Sequence, residues 1–197
     1  MIPVSVAVVG SNPVAPDDPN IEMGRGLAER LGGRYDLVVP AGPADAGLVD
    51  LHPVRLHRVA ARGRLGYLLA ARRTLDRIAP AKRQVLMSSN PLAALVVEGS
   101  ALRATVPHIF HVQGEIVRPG PEYGGPLKRL ALGAVTRMAV RRASGVRVVS
   151  DGLRAAVAPW AGGSSRSWAA GSTPACSGRG RAAPPPWTPS WSAGWRT

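Results

Sequence analysis

Hydrophobic positions along most of this chain fall into runs of two kinds. Continuous β-branched runs bounded by turn residues read as strands buried on both faces, and apolar positions three and four apart read as helices. "VSVAVVG", from Val4 to Gly10, is a strand that stops at Ser11, Asn12 and Pro13. A Pro- and Asp-containing loop leads into "NIEMGRGLAERLGG", a helix with an apolar stripe of Ile21, Met23, Leu27 and Leu31, closed by Gly32 and Gly33. "YDLVVPA" is a second buried strand, and strand-helix-strand in this order implies a parallel pair joined by a right-handed crossover.

The alternation continues. "HPVRLHRV" reads as a partly exposed strand, and "RLGYLLAARRTLDRIA" as a helix with Leu65, Leu68, Leu69, Leu75 and Ile78 inward and Arg72, Arg73 and Arg77 outward. "QVLMSS" is a strand; Asn90 caps and Pro91 opens the helix "PLAALVVEGSALRAT"; "PHIFHVQGE" is a strand running into a loop. "PLKRLALGAVTRMAVRRA" is a long basic amphipathic helix, "GVRVVS" a strand, and "DGLRAAVA" a helix start that Ser150 caps. The expected fold is therefore α/β: one Rossmann-like domain over residues 1–157 with an open, doubly wound, mostly parallel sheet. Ligands of such sheets lie at the carboxyl ends of the strands, here 10–12, 88–90, 111–115 and 150–152. Each of these also has a structural reading as turn or cap, and no GxGxxG follows the first strand, so a dinucleotide fingerprint is missing.

The pattern stops near residue 158. From there to Thr197 there is no Leu, Ile, Val or carboxylate, and all five tryptophans lie in these last positions among Pro, Gly, Ser, Ala and Arg. Read as protein, residues 158–197 are expected to be a disordered tail.

The net charge of +13 raises nucleic-acid binding as a function, but its distribution weakens that reading. Up to Asp151 there are 20 basic and 12 acidic residues, and the residues after it add five unbalanced arginines. No nucleic-acid motif or aromatic platform accompanies them, so no nucleic acid is expected as partner. A non-catalytic basic module binding nucleic acid or an anionic membrane surface remains the alternative, with binding that falls steeply with salt. Cys176 is the single cysteine, and no Cys/His spacing suits a metal, so neither a disulfide nor a metal site is expected. No stretch approaches the length of a membrane span and no signal-peptide pattern opens the chain, which places the expectation in the cytoplasm, with peripheral contact through the basic helix 126–144.

Taken in order, "VPHIFHVQGE", the helix "PLKRLALGAVTRMAVRRA" and "SGVRVVSDGLRAAV" resemble the acceptor-side, N-terminal domain of the family-4 glycosyltransferases of the GT-B fold. The resemblance implies half of a two-domain enzyme that transfers a sugar, with retention, from a nucleotide-sugar donor to an acceptor hydroxyl, a lipid-linked acceptor being compatible with it, without a cofactor or metal. It carries His111 over as the catalytic residue contacting the sugar, with Gly10, Ser11, Gly114, Glu115 and Ser150 lining the substrate cleft. Two departures stand out: Pro19 and Asn20 precede Ile21 and Glu22 where many members have a glycine pair, and Val112 and Gln113 separate His111 from Gly114. Without the donor domain the 197-residue chain is expected to be inactive.

The tail has a sharper reading as DNA. With the frame shifted by one base, "STPACS" permits "VDTGLF" and "WTPSWSAGW" permits "DAVVVGRL" after its first codon, in the order in which the family carries a "NGVDTxxF" hinge and a "VGRL" strand. The tail is thus expected to be out of frame, with the crossover between 158 and 164. Sequencing the genomic DNA across codons 150–197 tests this: a one-base correction that opens a second α/β domain is the expected result, and an intact printed frame refutes it.

Overall fold

The computed structural model describes residues 3–78, 83–113, 117, 119–161 and the backbone of 166–169. The chain runs β1 (Ser5–Val9), α1 (Pro19–Leu31), β2 (Tyr35–Ala41), β3 (Gly47–Leu51), β4 (Val54–Ala60), α2 (Gly63–Arg77), β5 (Gln84–Ser88), α3 (Pro91–Gly99), β6 (His108–Val112), α4 (Pro126–Arg142), β7 (Gly145–Val148), α5 (Asp151–Val157) and β8 (Arg166–Ala169). All eight strands form one sheet in the order β3-β4-β2-β1-β5-β6-β7-β8, parallel throughout except for the antiparallel β3 at one edge. This is the expected α/β, doubly wound, mostly parallel arrangement.

Alternation along the strands divides the core. Ala7, Val9, Val38 and Leu86 meet Tyr67, Ala71 and Leu75 of α2 and Ala93, Val96 and Val97 of α3. On the same face, Phe110, Val112, Val146 and Val148 meet Ala94 of α3, Ala139 and Val140 of α4, and Val157 of α5. The opposite face packs Val6, Leu37, Val39, Val54 and Leu56 against Ile21 and Ala28 of α1. Right-handed crossovers require this division: the chain turns from β1 toward β2 on one side and from β4 onward travels the other way.

Local chemistry sets the helix ends. The Asp18 carboxylate accepts from Asn20 N at 2.8 Å ahead of Pro19 in the first turn of α1, and Gly32, at φ 61°, ends that helix in the left-handed conformation. Asn90 caps α3, its Oδ1 accepting from Ala93 N at 2.8 Å, and Ser150 caps α5, its Oγ accepting from Leu153 N at 3.2 Å, both as the sequence indicates.

Three expectations need correction. In α1 the inward stripe is Ile21, Gly24 and Ala28, while Met23 faces outward. Gly24 is inward because the Tyr35 ring fills its side-chain space: a Cβ there would stand 2.6 Å from Tyr35 Cδ1. In α2 the buried ridge is Tyr67, Ala71 and Leu75, and Leu65 and Leu69 are exposed, since the tyrosine ring rather than the leucines takes the sheet side. "GLVDL", unassigned from sequence, forms β3 because it pairs back onto β4, with Val49 opposite Leu56. Beyond Val157, where a disordered tail was expected, Trp160 and Ala161 still pack on the core, and Arg166–Ala169 pairs in parallel with β7. The rest of the expected tail, 162–165 and 170–197, lies outside the described residues.

Gly33 sits against the backbone of Val4, so that a Cβ would overlap the Val4 carbonyl, whereas Gly26, within α1, has nothing within 4 Å of that position. Gly33→Ala is expected to cost about 2–3 kcal/mol in urea unfolding, while Gly26→Ala is expected to gain about 0.5–1 kcal/mol from helix propensity. Equal midpoints for the two variants would contradict this packing.

Candidate functional site

The carboxyl ends of β1, β5, β6 and β7 bring the sequence candidates to one edge of the sheet. Gly10 follows β1; its N–H donates to the Val38 carbonyl at 2.9 Å, and its own carbonyl accepts from the Tyr67 hydroxyl, which also donates to Val38 O at 3.3 Å. Tyr67 therefore ties the first loop to α2, and burial raises its phenol pKa, keeping the hydroxyl a donor. Ser11 lies in the bend that follows, partly exposed. Ser150 sits after β7 with its hydroxyl oxygen engaged in capping α5. Gly114 and Glu115 lie outside the described residues.

His111 stands near the end of β6, two strands from Gly10, a lateral offset of about 10 Å at normal strand spacing. Its neighbours Phe110 and Val112 face the core beneath α3 and α4, so its own ring lies on the opposite face. Arg147 of β7 is its register partner. The ring Nδ1 is 3.1 Å from Gln113 Nε2, whereas Nε2 is buried with no hydrogen-bond partner among the described residues. Burial, and secondarily the Arg147 charge, lower the His111 pKa, so the imidazole is neutral at pH 7 and can take part through either nitrogen. A buried, unpartnered ring nitrogen carries a desolvation cost that a ligand hydroxyl would offset.

A second polar group lies under α3. The His108 ring is fully buried; its Nδ1–H donates to the Glu98 carboxylate at 2.7 Å, and its Nε2 lies 2.8 Å from Ser88 Oγ. With Nδ1 protonated, Nε2 accepts the Ser88 proton. Arg103 Nε donates to the same Glu98 oxygen at 3.2 Å, and the Arg103 guanidinium also reaches the Arg142 carbonyl at the end of α4. Though arranged as serine, histidine and carboxylate, this group has its hydroxyl buried, and it joins β5, β6, α3 and α4 rather than opening to the edge. Sequence reading missed it. The signal was Glu98, the lone charge in the apolar helix "PLAALVVEG", with a histidine opening the next strand. Among the described residues no three His, Cys, Asp or Glu side chains gather as a metal site.

The model of the glycosyl transferase 4-like domain matches residues 22–167. The chain belongs to that family. Its fold is shared with a sucrose-phosphate synthase structure from Thermosynechococcus elongatus, at TM-score 0.58 and 13% identity over 84% of this chain and 87% of that one. A second structure of that synthase gives 0.60 and 15%, covering 86% of this chain and 47% of that one. An E. coli structure described as trehalose-6-phosphate bound with UDP-2-fluoro glucose gives 0.52 and 12%, covering 78% and 42%. At these identities the likeness establishes the fold, that of a GT-B glycosyltransferase domain, and this chain spans less than half the length of the latter two. No curated protein sequence matches it.

Burial lowers the His108 pKa, with Arg103 adding to the effect and Glu98 opposing it. In the unfolded chain the imidazole regains an ordinary value of about 6.5. Below that pH the unfolded state binds the extra proton, so the contribution is full above pH 6.5 or so and is lost as pH falls through the lower folded value. The glycosyl transferase domain is expected to lose stability from pH 7 to pH 5, and His108→Asn to show a flatter slope while being less stable at pH 7. Parallel pH profiles of urea midpoints would remove His108 as the cause.

Proposed function

We propose that this domain is the acceptor-side half of a retaining glycosyltransferase that moves a sugar from a nucleotide-sugar donor to an acceptor hydroxyl. The observation that carries this reading is the buried, unpartnered His111 Nε2 near the carboxyl edge of a glycosyl transferase 4-like sheet. A neutral imidazole there can hydrogen-bond a sugar hydroxyl as it approaches the transition state. Gly10, with its backbone fixed by Val38 and Tyr67, offers a rigid wall, and Gly114 and Glu115 are assigned to the same cleft from sequence. The UDP-2-fluoro glucose named for the E. coli structure supports a nucleotide sugar as donor. The donor half would hold the diphosphate with basic side chains and a helix N-terminus that stabilise the leaving charge.

The test compares the 197-residue chain with the product of the corrected reading frame against a panel of nucleotide sugars, with the anomeric configuration of product read by NMR. Transfer with retention by the longer product, and none by the shorter chain, is expected. His111→Ala in the longer product should lower kcat at least about 100-fold with little change in donor KM. Turnover by His111→Ala at the parent rate would take His111 out of the mechanism, and inversion would refute the proposed stereochemistry.

A further inference from the structure

Seven described large apolar side chains are exposed: Met23, Leu48 and Val149 singly, and four leucines in two pairs on two helices. Leu65 and Leu69 of α2 are 78% and 60% exposed, and Leu127 and Leu130 of α4 are 79% and 72% exposed. Each pair lies within one turn of its neighbour on a single helix face. Both helices follow parallel strands, β4 and β6, so both begin at the carboxyl edge of the sheet, and both lie on the same side of it with α3 packed between. The leucine pairs therefore occupy equivalent positions on two helices that stand about 20 Å apart across α3.

The residues around them are basic. Arg62 and Arg64 precede Leu65, and Arg72 and Arg73 continue the exposed ridge beyond Leu69. Lys128 sits between the α4 leucines, whose ridge passes through Ala131 and Ala134 before reaching Arg141. The two helices themselves carry a single carboxylate, Asp76, at the far end of α2 and 3.8 Å from Arg72; Glu122 lies just ahead of α4, and Asp45, near the end of β4, is paired with Arg58 at 3.8 Å. Each helix thus presents leucines at the sheet edge and cations both beside them and farther along.

We propose that this edge, formed by the first halves of α2 and α4, docks on an anionic lipid surface. Leucines entering the boundary of the acyl region, with arginine and lysine heads at the depth of the phosphates, are the arrangement an interfacial surface takes. Charge complementarity favours an anionic membrane as the occupant, and the paired ridges give it two points of attachment. No helix among the described residues is long and apolar enough to cross a membrane, so the contact is made along the surface. The contact goes beyond sugar transfer and does not depend on it; what it would do for a transferase is hold the cleft edge at the bilayer.

The test uses the full chain and sedimentation with vesicles of phosphatidylcholine alone or with about 30 mol % phosphatidylglycerol. Binding to the anionic vesicles, weakened by salt and absent from the neutral ones, is expected. Leu65→Gln/Leu69→Gln and Leu127→Gln/Leu130→Gln should each weaken binding by about tenfold or more with unchanged circular dichroism. Arg64→Gln/Arg73→Gln/Lys128→Gln gives an independent reading: it should weaken binding comparably and flatten the salt dependence. Three results would overturn the proposal: no binding, leucine variants that bind like the parent chain, or a dimer in sedimentation velocity that the leucine changes dissolve while vesicles remain unbound. Because no turnover is measured, failure here leaves the transferase reading standing, and the reverse holds as well.

Discussion

A parallel sheet has polar backbone at its edges and apolar side chains on both faces, and both faces must be covered for it to persist. In this domain the covering is uneven. Helices α2 to α5 close one face, whereas α1 packs against the other chiefly over β1, β2 and β4. Where β5 to β7 continue that second face, Val85, Met87, Ile109 and His111 are only partly buried, and Arg147 is exposed. The candidate site belongs to this less covered region, with His111 beside the exposed cation of Arg147.

The well-covered face explains why the Ser88, His108 and Glu98 group is structural. It lies where α3 presses on β5 and β6, and every polar atom there needs a protein partner because water is excluded. The Ser88 hydroxyl, both His108 ring nitrogens and Oε1 of Glu98 have one, and Arg103 extends the connection to the end of α4. A similar solution holds β2 to β4. Burial works to raise the Asp36 pKa, but hydrogen bonds from His57 and Arg34 and their charges outweigh it, and the carboxyl stays below its ordinary range. The contrast with His111 is one of satisfaction: the fully buried His108 has a protein partner on each ring nitrogen, whereas the partly buried His111 leaves Nε2 unpaired among the described residues.

Tyr67 links the two aspects of the domain. Its ring occupies the sheet side of α2, which turns Leu65 and Leu69 outward, and its hydroxyl reaches back to Gly10 at the first cleft loop. The residue that shapes the outer surface of α2 therefore also fixes the wall of the candidate site.

Much of this was legible in the linear pattern. Buried parallel strands such as "VSVAVVG" and "YDLVVPA" have to be continuously apolar, and caps such as Asn90 and Ser150 act through backbone groups a few residues away, so both kinds of signal are local. The edge position of Gly10, His111 and Ser150 followed from the parallel strands that the alternation of strand and helix implies, since each residue stands at or just past a strand's carboxyl end. What the sequence left open depended on contacts between distant segments. Met23 and Gly24 exchange roles because of Tyr35; Leu65 and Leu69 give way to Tyr67; β3 exists only through its pairing with β4; and His108 finds Glu98 and Ser88 from other elements. Periodicity identifies an apolar helix face but not which of two overlapping stripes meets the sheet, because that choice is made by the shape of the surface opposite, and only the packed tertiary structure supplies that shape.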